Sequence, residues 1–139
     1  MSALEFLDTN VLAYAYDNGD ARKQGIGREF LRRGLQTGEY VISVQILMEL
    51  SATLLYKFAT RISAEQMMRT LDVLAPLRVV EPDRDLVRRG VETAAQYGMH
   101  FYDGMIVAAA ERAGCKRIWS EDLNAGQEYF GVMVQNPFV

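Results

Sequence analysis

Apolar residues along the chain fall into short, dense runs separated by longer stretches in which they recur at helical spacing. Ala3 to Leu7 is such a run, ending in Asp8-Thr9-Asn10, and predicts a strand followed by a turn. Val11 to Tyr16 continues apolar. Residues 21 to 37 place Ile26, Phe30, Leu31 and Leu35 among arginines, predicting a helix weakened by Gly25 and Gly27 and closed by Gly34 and Gly38. Tyr40 to Ser43 predicts a second buried strand, with Ser43 capping a helix from Gln45 to Phe58. Ser63-Ala64-Glu65-Gln66 is a capping box that opens a helix to about Ala75, before Pro76. Leu77 to Val80 is a short β-branched run. Asp83 or Asp85 starts a helix through Tyr97 that Gly98 ends, Phe101 to Ala113 is another that Gly114 ends, Arg117 to Ser120 is a strand, and Val132 to Val134 is the last.

Short strands alternating with helices predict an α/β fold, a three-layer α/β/α sandwich with a short parallel sheet. With 139 residues, half of them hydrophobic, a single domain spanning 1–139 is expected, and no repeat or linker interrupts it. In sheets of this kind ligands lie beyond the carboxyl ends of the strands, so polar residues just after strands are the first candidates for chemistry.

Four acids meet that condition. Asp8 follows the first strand and Asp122 follows the Arg117 to Ser120 strand. Glu49 sits in the second turn of the helix after the second strand and can point back over the same edge. Asp103 opens a helical stripe that otherwise carries Val107 and Ala110, and a carboxylate on a buried face needs a partner. Each has a local alternative: an Asx turn at Asp8, an N-cap at Asp103, a turn cap at Asp122, an exposed helical position at Glu49. Together, however, four acids at one edge would repel one another and hold protons unless a cation joined them. Oxygen ligands without thiolate or imidazole favour Mg²⁺ or Mn²⁺. Such an ion lowers the pKa of a coordinated water and stabilises the charge on a leaving oxygen, which is phosphodiester hydrolysis without a nucleophilic side chain.

Charge and composition refine this expectation without overturning it. The net charge of −3 argues against a strongly basic nucleic-acid surface, but setting the four acids aside leaves 14 acids against 15 Lys and Arg. The only cysteine, Cys115, forms no internal disulfide and has no zinc spacing, which fits the cytoplasm. The opening Met-Ser-Ala-Leu-Glu-Phe lacks the marks of a signal peptide, and no run is long enough to cross a bilayer, so no membrane association is expected. His100, three positions before Asp103, is a structural residue or a proton donor. Tyr14, Tyr16, Phe101 and Tyr102 read as core or dimer contacts in preference to base-stacking groups, and Met67, Met68, Leu71 and Leu74 as a core stripe. The clusters Arg28, Arg32, Arg33 and Arg84, Arg88, Arg89 read as solvated helix faces.

Leu7-Asp8-Thr9-Asn10-Val11-Leu12, the Ser43 to Glu49 segment, Tyr102 to Ala110, Ser120-Glu121-Asp122-Leu123 and the closing Asn136-Pro137-Phe138 together resemble the PIN domain nucleases, and within them the VapC-type toxins of toxin–antitoxin pairs. The resemblance covers nearly the whole chain. It implies a metal-dependent endoribonuclease acting on RNA, a homodimer, and a cognate antitoxin that covers the acidic pocket. It also implies that Asp8, Glu49, Asp103 and Asp122 bind metal, with Asn10 a polar support beside Asp8 and Ser120 helping to position the fourth acid. Glu121 stands next to Asp122, and either could be that acid; Asp122 is preferred because residues 120 and 122 share a side of an extended chain. Two other classes place acids at strand ends. A receiver-like phosphoacceptor domain wants an adjacent acidic pair after the first strand and a lysine after the last strands, and an aspartyl-nucleophile phosphatase wants an acid where Asn10 stands. A catalytically inactive RNA-binding module of the same fold is the remaining alternative.

Overall fold

The computed structural model describes residues 3–139, so Met1 and Ser2, the start of the segment inspected for a signal peptide, lie outside the described residues. Six strands form one sheet: β1 (Glu5–Leu7), β2 (Tyr40–Ser43), β3 (Arg78–Val80), β4 (Arg117–Trp119), β5 (Glu128–Tyr129) and β6 (Val132–Gln135). Their order is β3-β2-β1-β4-β6-β5. The pairs from β3 through to β6 are parallel, with Phe6 level with Val41 on one side and Ile118 on the other. Only β5 runs antiparallel, against β6.

That order decides where a site can form. From β1 the chain steps outward through β2 to β3, then returns across the sheet to lay β4 on the opposite side of β1. The loops leaving β1 and β4 therefore diverge, and a crevice opens at the carboxyl ends of these two strands. Asp8 and Asp122 flank that crevice.

The helices are α1 (Thr9–Tyr14), α2 (Ala21–Thr37), α3 (Val44–Ala52), α4 (Ala64–Val73), α5 (Arg84–Tyr97) and α6 (Phe101–Arg112). Asp20, Ser43, Ser63 and Asp83 cap α2 to α5 with side-chain bonds to backbone N–H groups, and the box at Ser63 and Gln66 is formed in both directions. Helix α2 lays Phe30 against Tyr40 and Trp119, with ring centroids 5.6 and 5.1 Å apart. Helix α6 is buried continuously from Gly104 to Ala110, since it lies between α5 and strands β2, β4 and β6 and must be apolar all round. Its approach to α5 depends on glycine: a Cβ on Gly104 would stand 2.6 Å from the Gly90 carbonyl oxygen. Phe6, Leu7, Val41, Ile42 and Ile118 are fully buried, and side chains of this size contribute roughly 1.5–3 kcal/mol each relative to exposure.

Several elements differ from the sequence expectation. The segment after Asp8 is helix α1, because Asp8 itself accepts a hydrogen bond from the Thr9 amide as its N-cap. Gly25 and Gly27 are tolerated inside α2; at Gly27 a Cβ would meet the Val11 carbonyl and Ala15 amide at 2.8 Å, so the residue allows α1 and α2 to touch. Past α3 the helix widens into a π turn at Thr53–Lys57. The β5–β6 hairpin was not foreseen. It turns at Phe130 and Gly131, both with positive φ (50° and 84°), as a two-residue hairpin loop of mirror-image type requires. The Phe130 amide donates to the Tyr97 hydroxyl and its ring packs against Tyr97 and the Arg89 guanidinium, contacts that offset the strain of a non-glycine residue there.

Candidate active site

At the carboxyl ends of β1 and β4 lies an open cavity of about 640 Å³, lined by residues from α1, α3, the π turn, α6 and the loop after β4. Glu49, Asp103, Glu121 and Asp122 line it directly, along with Thr9, Asn10 and Gln45. Asp8 lies beneath, only 4% exposed.

The floor is a hydrogen-bond relay. The Asp8 backbone N–H donates to the Trp119 carbonyl, tying the ends of β1 and β4. Asp8 Oδ1 accepts from the Thr9 amide at 2.7 Å, and Oδ2 accepts from Ser120 Oγ at 2.6 Å and more weakly from Asn10 Nδ2 at 3.5 Å. Ser120 is fully buried, and its oxygen in turn accepts the amides of Asp122 and Leu123, both at 3.1 Å. Every bonding capacity of that hydroxyl is used. The chain from 120 to 122 is therefore a tight turn around Ser120, whereas an extended chain had been expected; the link between Ser120 and Asp122 exists, but through the backbone amide. Asn10 spans the gap as well: Nδ2 donates to Asp122 Oδ2 at 3.2 Å and Oδ1 accepts the Glu121 amide at 3.1 Å.

The wall opposite is Glu49. Thr9 Oγ1 donates to Glu49 Oε2 at 3.1 Å, and Gln45 Nε2 donates to Oε1 at 2.7 Å and to the Tyr102 carbonyl at 3.0 Å. Asp103, in the first turn of α6, is half-buried and accepts no hydrogen bond among the described residues. His100 is accounted for as the α6 N-cap, with Nδ1 accepting the Tyr102 amide at 3.2 Å.

Glu121 and Asp122 are separated by their partners. Lys23 Nζ donates to both Glu121 oxygens, at 2.9 and 3.1 Å, and the Tyr14 hydroxyl donates to one of them at 3.2 Å. Among the described residues the Asp122 side chain accepts only from Asn10. No salt bridge among the described residues involves Asp8, Glu49, Asp103 or Asp122. Electrostatics carry the consequence. Burial raises the Asp8 carboxyl to about 6 against the bonds from Ser120 and Thr9, with Glu49 and Asp122 adding repulsion. Burial also raises Asp103, with Glu49 and Asp122 adding to the effect and His100 opposing it. No three acids among the described residues are closed into a set that could hold an ion as they stand. The donor set nonetheless suits one: oxygens only, unpaired with cations, and mutually repelling.

The family model described as PIN domain matches residues 6–127. The chain belongs to the PIN domain family. This membership covers β1 to the loop before β5 and removes the ground for the receiver-like and phosphatase alternatives. Among solved PIN-like structures, a toxin–antitoxin complex from Klebsiella pneumoniae superimposes with a TM-score of 0.68 at 19% identity, covering 98% of both chains. VapC20 of Mycobacterium tuberculosis, described as a sarcin–ricin loop cleaving toxin, gives 0.67 at 18% identity over 85% of this chain and 91% of that one. DNA-bound VapBC from Salmonella typhimurium gives 0.66 at 20% identity over 98% and 99%. No curated protein matches the chain in sequence. At these identities the structures establish the α/β PIN fold.

Other expectations are sorted by the same geometry. Met67 and Leu74 are core, but Met68 is exposed. Arg32 pairs with Glu29, and Arg88 and Arg89 pair with Glu92, Arg89 reaching Glu111 as well. Tyr102 is 60% exposed at the cavity mouth, and therefore is not a core residue. Missed altogether were Lys57 and Phe58, and the commitment of Glu121 to Lys23. Spacing gave no signal for the first of these, because twelve residues of regular α-helix carry Lys57 about a third of a turn from the face of Gln45. No helix of the described residues is long and apolar enough to cross a membrane.

Proposed function

We propose that this PIN domain is a Mg²⁺- or Mn²⁺-dependent endoribonuclease and the VapC-type toxin of a type II toxin–antitoxin pair, acting in the cytoplasm as a homodimer with a cognate antitoxin. The observation that carries the hydrolase reading is the set of four carboxylates from four separate segments, Glu49, Asp103 and Asp122 lining one cavity with Asp8 buried beneath it, and none of them in a salt bridge among the described residues. Asp8, Glu49, Asp103 and Asp122 would hold the ion. When bound, it supplies Lewis acidity, making a coordinated water a nucleophile at neutral pH and offsetting charge on the leaving oxygen.

The chain's own residues prepare that chemistry. Ser120 and Asn10 fix Asp8 and Asp122 in mutual register, and the Thr9 and Gln45 bonds hold Glu49 across from them. Asp103, which accepts no hydrogen bond among the described residues, is the acid with the most freedom to adjust to the ion or orient the attacking water. Lys23 holds Glu121, which leaves Asp122 as the fourth acid. The likeness to toxin–antitoxin complexes and to a sarcin–ricin loop cleaving toxin supports RNA and antitoxin as substrate class and partner.

The test is direct. Purified protein is expected to cut single-stranded RNA with Mg²⁺ or Mn²⁺, to stop in EDTA, and to lose cleavage in Asp103→Asn with an unchanged circular dichroism spectrum. Undiminished cleavage in EDTA refutes the metal mechanism. Absence of cleavage with every divalent ion, despite RNA binding, makes the chain an inactive RNA-binding module instead.

A further inference from the structure

Part of the cavity lining has a different chemistry from the acids. It is formed by Met48, Thr53, Lys57 and Phe58, with Tyr102 opposite on α6. Met48 is 67% and Tyr102 60% exposed, a large apolar area to leave in water beside a charged centre. Lys57 is the sole Lys, Arg or His lining the cavity, and it makes no ion pair among the described residues.

The backbone explains how Lys57 and Phe58 arrive there. Continued as a regular α-helix, α3 would leave Lys57 roughly a third of a turn away from the face carrying Gln45. The π turn at Thr53–Lys57, closed by the Phe58 amide on the Thr53 carbonyl at 3.2 Å, is wider and takes up part of that offset. Such insertions disturb a helix and are frequent at functional sites. Tyr102 is also held in place: its ring lies 5.7 Å from the His100 ring at 21°, and Gln45 ties its carbonyl to Glu49.

We propose that this part of the cavity is a nucleotide subsite, in which Lys57 takes a phosphate next to the one being cleaved and Phe58, Met48 and Tyr102 receive the base of that nucleotide. The inference rests on the ribonuclease reading and adds the residues that bind the substrate strand. A cation set beside aromatic and thioether surface is what a single nucleic-acid strand needs: charge for the backbone and a flat apolar face for the base. A cationic protein segment seated over the acids would instead meet Lys57 as a like charge, which favours RNA as the occupant. The apolar surface also accounts for a net acidic protein engaging RNA without a basic face.

The experiment uses full-length protein carrying Asp103→Asn, so that RNA is bound and not cut, and a single-stranded RNA of about 12 nucleotides spanning a cleavage position mapped with the wild type. Anisotropy titrations across a salt series give affinity and salt slope. Losing one phosphate contact lowers affinity about fivefold at roughly 0.1 M salt and the slope of log affinity on log salt by about 0.7. Lys57→Met is expected to do both, and Lys57→Arg to restore them. Removing the base beside the cleaved bond should weaken binding about fivefold or more, and that penalty should vanish in Phe58→Ala. An unchanged affinity and slope in Lys57→Met, or a base penalty that persists in Phe58→Ala, overturns the subsite while wild-type cleavage leaves the nuclease reading standing. Loss of antitoxin binding alone in Lys57→Met, with RNA binding intact, overturns it in favour of a protein contact. If the parent neither binds nor its wild type cuts RNA, both readings fall.

Discussion

Asp8→Asn isolates the electrostatic cost of the acidic centre. In the native protein burial and its acidic neighbours push the Asp8 carboxyl from the ordinary 3.8 to about 6. An acid with a raised native pKa binds its proton more tightly folded than unfolded. Its contribution to stability is therefore complete below pH 3.8 and is lost as the pH rises through about 6. The full displacement corresponds to about 3 kcal/mol, of which about 2 kcal/mol falls between roughly pH 4.5 and pH 8. Asparagine at position 8 keeps the cap on the Thr9 amide. It turns a donor toward Ser120 Oγ, which already accepts two amides, so the serine proton loses its acceptor at a cost of about 1–2 kcal/mol. That cost does not depend on pH; the carboxylate cost does. Thermal unfolding of both proteins in EDTA across this range should show wild type losing about 2 kcal/mol against Asp8→Asn, or roughly 6–10 °C in midpoint for a domain of this size. Mg²⁺ or Mn²⁺ at high pH should recover the loss in wild type only. A difference between the two proteins that stays constant with pH refutes the assignment of Asp8 as a repelled, buried acid.

Ser120→Ala removes one hydroxyl that serves three groups; an expected loss of about 2–4 kcal/mol is measurable by denaturant titration, together with weaker metal-dependent cleavage. Asp122→Asn should suppress cleavage far more than Glu121→Gln, because Lys23 already occupies Glu121; equal losses in a cleavage assay would contradict that division. Gly104→Ala forces α6 from α5 at the Gly90 carbonyl, and an overpacking cost of about 1–3 kcal/mol should appear in thermal unfolding, with impaired cleavage because Asp103 is the neighbouring residue.

Much of the fold was legible because apolar periodicity and caps are local. The capping box at Ser63, the cap at Asp83 and the glycines at 38 and 98 end or begin helices by bonds within a few residues, and they stand where the sequence placed them. Helix α1 was missed because its cap, Asp8, also carried the signature of a turn. The β5–β6 hairpin was missed because its turn is Phe130-Gly131, and a phenylalanine in the left-handed region is supported by Tyr97 and Arg89 from elsewhere in the chain.

The sequence by itself determined the alternation of strands and helices, the burial of the central strands, and the four acids as a candidate constellation, to which only the family resemblance added Asn10 and Ser120. Hydrophobic period and residue chemistry carry that information along the chain. The tertiary structure decided what depends on contacts between distant segments: that β4 returns beside β1 and opens the crevice, that Asp122 shares Asn10 and Ser120 with Asp8 while Lys23 occupies Glu121, and that the π turn brings Lys57 and Phe58 to the same cavity. A charge's partner and a side chain's exposure are properties of the packed chain, and no local pattern encodes them.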